Sequence, residues 1–308
     1  MVKKKPALVV GIIQLCVIPS ATLYFYPLFS IVLFIIAKGY INPLVVSRFY
    51  PLLLGVGIAL LSNFGTNIWN HSNDIKEDMA QGKDNVLTQG IVNRRTIVTL
   101  ATIFYMISLM VIFILSERFN RPIFPFFLIW CVITWWYSDN FFFKKIFGFR
   151  LKDHYLGELV TYIIACPTFT LSIWLIYTDM DIRGLSLALI FLFYGISGLL
   201  LKDLKDITGD RAAGLKTLGV VFLPSQLLFL SSMLLILYYL LIITFTLLEV
   251  FNIGSLLVSI PLAIFISGTF LYFHRKSWEL EKDDYKPIQN MMLTTYASLF
   301  MFGIGNFI

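Results

Sequence analysis

The sequence predicts an all-α polytopic membrane protein: one domain over residues 1–308, nine transmembrane helices in a single bundle, and a cavity open toward the cytoplasmic face. Three observations predict it. Hydrophobic residues make up 58% of the 308 and charged residues only 14%, more apolar surface than a soluble core of this size can bury. Apolar runs of about 20 residues, the length that crosses a bilayer core, recur along the whole chain. Seven of the 18 acidic residues are concentrated at 74–84 and 203–210, each group just after a long apolar stretch.

In chain order the candidate spans are 8–37, 49–69, 96–116, 122–138, 156–178, 184–201, 219–248, 253–273 and 290–308. The first follows Lys3-Lys4-Lys5 and so imitates a signal peptide, but its run is too long and lacks a convincing small-residue cleavage site. It reads as a retained span. The first and seventh are long enough to tilt or kink. The N-terminal tail and the loops near 70–95, 139–155, 202–218 and 274–289 hold 19 of the 24 Lys and Arg, whereas Lys38, Arg48, Arg118, Arg121 and Arg183 fall on the other side. Basic loops stay in the cytoplasm, so the N-terminus and both acidic segments are expected inside and the C-terminus on the opposite side. The net charge of +6 is then a topology signal, with no nucleic-acid partner implied.

Cys16, Cys131 and Cys166 lie within spans with no neighbouring Cys or His, which argues for buried apolar thiols and against disulfide or zinc. His71, His154 and His274 are scattered. The acidic segments carry more information. Asn70, Asp74 and Asp78 are spaced i, i+4, i+8 and form a stripe if the second span continues as a helix; Asp206 and Asp210 repeat the spacing, with Asp203 on nearly the same face. Like charges at i, i+4 destabilise a helix, and an ionised carboxylate at membrane depth costs about 2.5–3.5 kcal/mol. A compensating cation is therefore expected. Carboxylate and amide oxygens without Cys or His suit a hard divalent ion, Mg²⁺ first, which completes its shell with water and phosphate. A second register, Asn73, Glu77 and Gln81, loses two aspartates and is set aside.

These segments resemble the UbiA superfamily of intramembrane prenyltransferases. Asn70, Asp74 and Asp78 match its N-x-x-x-D-x-x-x-D motif, and Asn67 adds the N-x-x-N start of naphthoate-type members. The run from Lys202 through Asp203, Asp206, Gly209, Asp210, Arg211 and Gly214 to Leu218 is similar to the family's K-D-x-x-D-x-x-G-D-R-A-x-G-x-x-T-L. Gly157-Glu158-Leu159, with Pro167 later in that span, resembles its G-E-L segment. The agreement extends over nearly the whole chain. It departs in lacking the usual Arg-Pro pair after the first motif, where Asp84 to Gly90 stands instead, leaving Arg94 or Arg95 to replace the arginine. Tyr137 is followed by Lys only at 144 and 145.

The resemblance implies transfer of a prenyl group from an isoprenyl diphosphate, geranyl to geranylgeranyl, to a lipophilic acceptor within membrane lipid. Two Mg²⁺ ions held by Asn70, Asp74, Asp78, Asp206 and Asp210 would neutralise the departing diphosphate, the four aspartates being the catalytic set. Arg94, Lys144, Lys145, Lys152, Lys202 and Arg211 are the expected diphosphate donors, and Asn67, Tyr137, Asp203 and Glu158 the expected cavity residues. Asp139 either holds the acceptor's proton or sits in the interface. The N-x-x-N and G-E-L features favour an aromatic quinone precursor; the second motif is equally reminiscent of archaeal-lipid and chlorophyll-type members. A CDP-alcohol phosphotransferase would need a D-G-x-x-A-R string, which is absent. A divalent-cation transporter would keep its acids deep within spans.

Overall fold

The structure is a computed structural model that describes residues 8–39, 49–281 and 284–307. Lys3, Lys4, Lys5, Arg48, Lys282 and Ile308, all used in the sequence reading, lie outside the described residues. In chain order the helices are α1 (Leu8–Cys16), α2 (Tyr26–Lys38), α3 (Tyr50–Asn73), α4 (Ile75–Ala80), α5 (Arg94–Phe119), α6 (Ile123–Ser138) and α7 (Phe143–Phe147). They continue with α8 (Tyr155–Tyr177), α9 (Ile182–Ala212), α10 (Leu218–Val221), α11 (Pro224–Leu247), α12 (Ser259–Phe265), α13 (Leu271–Arg275) and α14 (Tyr285–Phe307). No strand occurs among the described residues.

Seven helical stretches among the described residues are long and apolar enough to cross a membrane: Ser20–Lys38, α3, α5, α8, α9, α11 and Ile253–Arg275. Helices also stand at the two other expected spans. α6 is apolar but has only 16 residues, about 24 Å of helix against a hydrocarbon core of about 30 Å. α14 is long enough, and its Asn290, Thr294, Thr295 and Asn306 dilute its hydropathy.

Local chemistry sets the helix ends. The first expected span is broken: Pro19 has no amide hydrogen to donate, α1 stops at Cys16, and a π-helical turn, Ser20–Phe25, leads into α2. The hydroxyl of Thr22 mends the break by accepting from the Ile18 amide (3.1 Å) and donating to Asn63 Oδ1 (2.7 Å). Asn93 and Asp181 cap α5 and α9, their side chains accepting the amides of Arg95 and Gly184. Pro224 occupies the first position of α11, where its missing amide hydrogen costs nothing.

Packing closes the helices into a ring. α2 packs on α3, α3 on α5, α5 on α6, α6 on α8, α8 on α9 and α9 on α11; the 253–265 stretch then joins α11 to α14, and α14 returns to α2. α8 also reaches α2 and α3 across the ring, burying Phe29, Tyr177 and Trp174. α9 extends for 31 residues, about 46 Å, so it overruns the bilayer and carries the second acidic segment out at one end of the bundle.

Candidate active site

α3 ends at Asn73 because Asp74 leaves helical geometry, with φ −104° and ψ 23°. The expected stripe survives the break. The Asp74 amide still donates to the Asn70 carbonyl (2.9 Å) and the Asp78 amide to the Asp74 carbonyl (2.8 Å), so Asn70, Asp74 and Asp78 stay in register from α3 into α4. Each side chain is held. Asn70 Oδ1 accepts from the Ser138 hydroxyl (2.8 Å); Asp74 pairs with Lys152 (2.7 Å) and Arg150 (3.5 Å); and buried Asp78 pairs with His71 (3.0 Å) and Lys83 (3.1 Å). Glu77 accepts from Arg150 at 3.1 Å.

The second segment lies on unbroken α9. Asp206 pairs with Lys202 one turn earlier (3.2 Å) and accepts from Gln81, just past the end of α4 (3.3 Å), while Asp210 accepts from the Thr217 hydroxyl (3.0 Å). The segments meet where α4 crosses α9. Gly209 leaves room for the Gln81 side chain, which a Cβ there would displace, and Lys83 spans the gap with 3.1 Å to Asp78 and 3.7 Å to Asp206.

Both segments line one cavity of about 150 Å³. Asn67, Asn70, Asp74, Asp78, Asp206 and Asp210 line it together with Lys83, Lys152, Lys202 and Tyr137. Burial by itself would push the Asp78 carboxyl up, but His71 and Lys83 outweigh it and hold Asp78 below the usual carboxylate range. Burial would likewise lower Lys152 and Arg150; Asp74 raises the first above the ordinary lysine value, and Asp153 with Asp74 raises the second. All three groups are thereby kept charged.

Several expected residues are elsewhere. Arg94 turns away from the cavity, donating to the Ser72 carbonyl (2.7 Å) and Asn73 (3.1 Å) and stacking over Phe141 at 4.4 Å. Arg95 is exposed. Lys144 donates to Asn140 (3.4 Å), and Lys145 and Arg211 are exposed and do not line the cavity. Asp203 and Glu158 are buried behind the wall. Asp203 accepts the Gly219 amide (3.2 Å), while Glu158 accepts the Leu218 amide (2.9 Å) and the Tyr137 hydroxyl (3.2 Å). They hold the start of α10 against α8 and α9. Asp139, also buried, accepts the amides of Phe141, Phe142 and Phe143 and starts α7. The structure brings in four groups that the sequence reading left out: Lys83, Arg150, Glu77 and Gln81. For the last two, the i+4 spacing of the rejected register was the available signal. Arg150 stands beside Asp153, and nothing local marks its reach to Asp74.

The donor set suits a hard cation, since the side chains on this wall that match metal chemistry are carboxylates and amides, with His71 turned to Asp78. Among the described residues no three Asp, Glu, His or Cys side chains converge as a ready cage. The ammonium groups of Lys83, Lys152 and Lys202 stand between the carboxylates instead.

Two acidic segments that face each other across a lysine-lined cavity, at one end of a bundle of membrane-length helices, suit an integral-membrane transferase acting on an anionic substrate. The chain belongs to the UbiA prenyltransferase family, whose profile matches residues 24–294, and it is a prenyltransferase. An uncharacterized protein of Archaeoglobus fulgidus is 32% identical over 285 residues, covering 92% of this chain and 93% of that one. A solved structure, described as giving structural and mechanistic insights into the biosynthesis of digeranylgeranylglyceryl phosphate synthase in membranes, shares the fold. It has a TM-score of 0.65 at 16% identity and covers 97% of this chain and 98% of its own.

Proposed function

We propose that the chain transfers a prenyl group from an isoprenyl diphosphate, geranyl to geranylgeranyl in length, to a lipophilic acceptor and releases diphosphate with the help of Mg²⁺. The observation that carries the reading is that Asp74 and Asp206, 132 residues apart, line one cavity together with three lysines. Carboxylates alone would repel a diphosphate, and lysines alone would bind it without room for metal. Together they suit a metal–diphosphate complex.

Asn70, Asp74, Asp78, Asp206 and Asp210 would hold the ions, and Mg²⁺ when bound neutralises negative charge on the leaving diphosphate. Lys83, Lys152 and Lys202 exchange their carboxylate partners for phosphate oxygens, as charge-assisted donors. Tyr137 turns an aromatic ring toward the allylic carbon as positive charge develops, worth about 0.5–2 kcal/mol. Glu158 orients that ring from behind. The apolar ring of helices excludes water that would otherwise trap the cation. The site is read as cytoplasmic, with N-terminus inside, nine crossings and the whole chain as one catalytic domain.

For the acceptor, one observation favours a glycerol-based lipid over a quinone precursor. The two features that pointed to quinones have structural employment: Asn67 donates to the Cys16 carbonyl (2.8 Å) and to Asn63 (3.2 Å), and Glu158 anchors α10. These contacts account for both residues without an aromatic acceptor. The described neighbour is concerned with a prenylated glyceryl phosphate, and the second acidic motif suits that group of members equally.

The test is prenyl transfer by purified protein from radiolabelled geranyl and geranylgeranyl diphosphates. Acceptors are a singly prenylated glyceryl phosphate and a dihydroxynaphthoate, with Mg²⁺ or EDTA, for wild type, Asp74→Ala and Asp206→Ala. Product with Mg²⁺, lost with EDTA and in both variants, is expected, and the productive acceptor names the class. No product and no Mg²⁺-dependent diphosphate binding would sink the reading.

A further inference from the structure

Asn73 closes α3 one residue before Asp74, and it is buried. Its Oδ1 accepts from Arg94 Nη2 (3.1 Å) and from the Asn140 amide (3.2 Å), and its Nδ2 donates back to the Trp69 carbonyl (2.9 Å). A helix end leaves its final carbonyls open. Here the last two accept from the same two residues: Ser72 from Arg94 Nε (2.7 Å) and Asn73 from Asn140 Nδ2 (2.8 Å). Arg94 begins α5 and Asn140 follows α6, so three segments distant in the chain are tied at one residue. A guanidinium also suits the negative end of the α3 dipole, and the ring of Phe141, next to Asn140, lies 4.4 Å from that of Arg94.

We infer that Asn73, clamped by Arg94 and Asn140, is a positioning residue for the acid site: it fixes the break between α3 and α4 and so sets where the Asp74 and Asp78 carboxylates stand. The inference rests on the prenyl-transfer reading and deepens it. Asp74 leaves helical geometry immediately after the clamp, and its carboxylate is held by Lys152 and Arg150. On that reading Lys152 turns to phosphate when the donor binds, so an ion pair that holds Asp74 is given up when Asp74 must keep its place. The clamp has no such competitor. Asn73, Arg94 and Asn140 do not line the cavity, and their bonds run between neutral amides, carbonyls and one guanidinium already engaged. The segment that supplies Asn140 also supplies Arg150 and Lys152, and it therefore grips the break from both sides. Arg94 then acts through Asn73 and Ser72, and takes no phosphate oxygen.

The test titrates full-length protein in nanodiscs with Mg²⁺ in the presence of labelled geranyl thiodiphosphate, a donor analogue chosen to bind without turnover, and reads bound analogue at equilibrium. Asn73→Ala is expected to raise the Mg²⁺ concentration for half-maximal binding about 10-fold, the low end of what losing a group that orients a metal ligand costs, with full binding recovered at high Mg²⁺. Arg94→Met should raise it several-fold and Arg94→Lys, which keeps a donor at the helix end, less. The pair Asn73→Ala and Arg94→Met should do no more than Asn73→Ala alone, because contacting residues of one unit are not additive. Asn306→Ala controls for the mere loss of a buried amide: it strands Ser255 and the Asn252 amide, none of which lines the cavity, and should lower the thermal midpoint without moving the Mg²⁺ dependence. Should Asn73→Ala not fold, Arg94→Met and Asn140→Ala carry the same comparison at two partly buried positions. The inference falls if wild type depends on Mg²⁺ and the clamp variants stay within twofold of it, or if Asn306→Ala shifts the dependence as far as they do. It also falls if Arg94→Met loses binding that Mg²⁺ does not restore, which would return Arg94 to the diphosphate donors. Wild type that binds the analogue equally with Mg²⁺ and with EDTA would sink the prenyl-transfer reading, and the inference with it.

Discussion

Lys83 couples the two acidic segments through Asp78 and Asp206, yet its side chain is 45% exposed, so replacing it should not disturb the fold. Lys83→Met is expected to raise the donor KM about 10-fold, the scale of a lost charge-assisted contact, with the acceptor KM unchanged. Steady-state kinetics checks this, and an unchanged donor KM would remove Lys83 from the diphosphate set. Glu158 is expected to behave in the opposite way. Glu158→Ala strands the Leu218 amide and the Tyr137 hydroxyl, and an unsatisfied buried group costs about 1–3 kcal/mol. Thermal unfolding in detergent should show that loss at a nearly constant donor KM. A third residue gives a pH signature away from the site. Burial would raise the Asp284 carboxyl, but Tyr272 (2.6 Å), the Glu281 amide (2.8 Å) and Lys276 (3.0 Å) hold it below its ordinary range, and Lys276 is raised in turn by Asp284 and Glu281. A depressed acid stabilises above its unfolded value of about 3.9 and loses that contribution as pH falls through its folded one. A raised lysine stabilises below about 10.4 and loses it as pH rises through its folded one. The turn between α13 and α14 should thus resist proteolysis evenly from about pH 5 to 10 and lose protection below about pH 4, and Asp284→Asn should lose it throughout. At this scale the acids were legible in the sequence because charge is conspicuous in an apolar chain. Their partners were not. Lys83 reads as one more topology-setting cation, and an acid at a span end looks the same whether it faces a cavity or, like Asp203, a backbone amide.

The two acidic segments meet where α4 packs on α9, and room there for the Gln81 side chain is left by Gly209. The sequence marks this residue through its place in the G-D-R run, but the reason for it is Gln81, 128 positions earlier. No spacing rule connects such residues; only the crossing of the helices does. Gly209→Ala is expected to displace the Gln81 side chain, break its bond to Asp206 and lower kcat/KM several-fold. Gly209→Ala combined with Gln81→Ala should recover much of the loss, because the collision disappears and the coupling of contacting residues is read directly from such a cycle. Additive losses would mean that the glycine acts in some other way. The helix breaks divide similarly. Pro19 is a visible breaker, so the interruption of the first span has a local cause. The end of α3 at Asp74 has none in its propensities, and it coincides with the pairing of Asp74 to Lys152 and Arg150.

Over the whole molecule, ring closure and charge asymmetry together demand that helices alternate in direction, and α6 is where that demand is tightest. It has 16 residues, about 24 Å of helix, yet α5 before it and α8 after it are both long enough to span. If α6 did not cross, the loops at 139–155 and 70–95 would lie on opposite faces, and Lys152 and Arg150 could not reach Asp74 and Glu77 as they do. These ion pairs lead us to expect a crossing by α6, helped by local thinning of the bilayer, for which mismatch costs only fractions of a kcal/mol per Å. On that expectation its end near Arg121 and Asp179 and its end near Asn140 and Asn73 differ in accessibility. In a background with Cys16, Cys131 and Cys166 replaced by Ala, a membrane-impermeant maleimide added to intact cells should label Asn120→Cys and spare Lys145→Cys, and inverted vesicles should reverse the pattern. Labelling of both positions from one side would mean that α6 returns without crossing. The nine-crossing topology and the cytoplasmic placement of the site would then fail together.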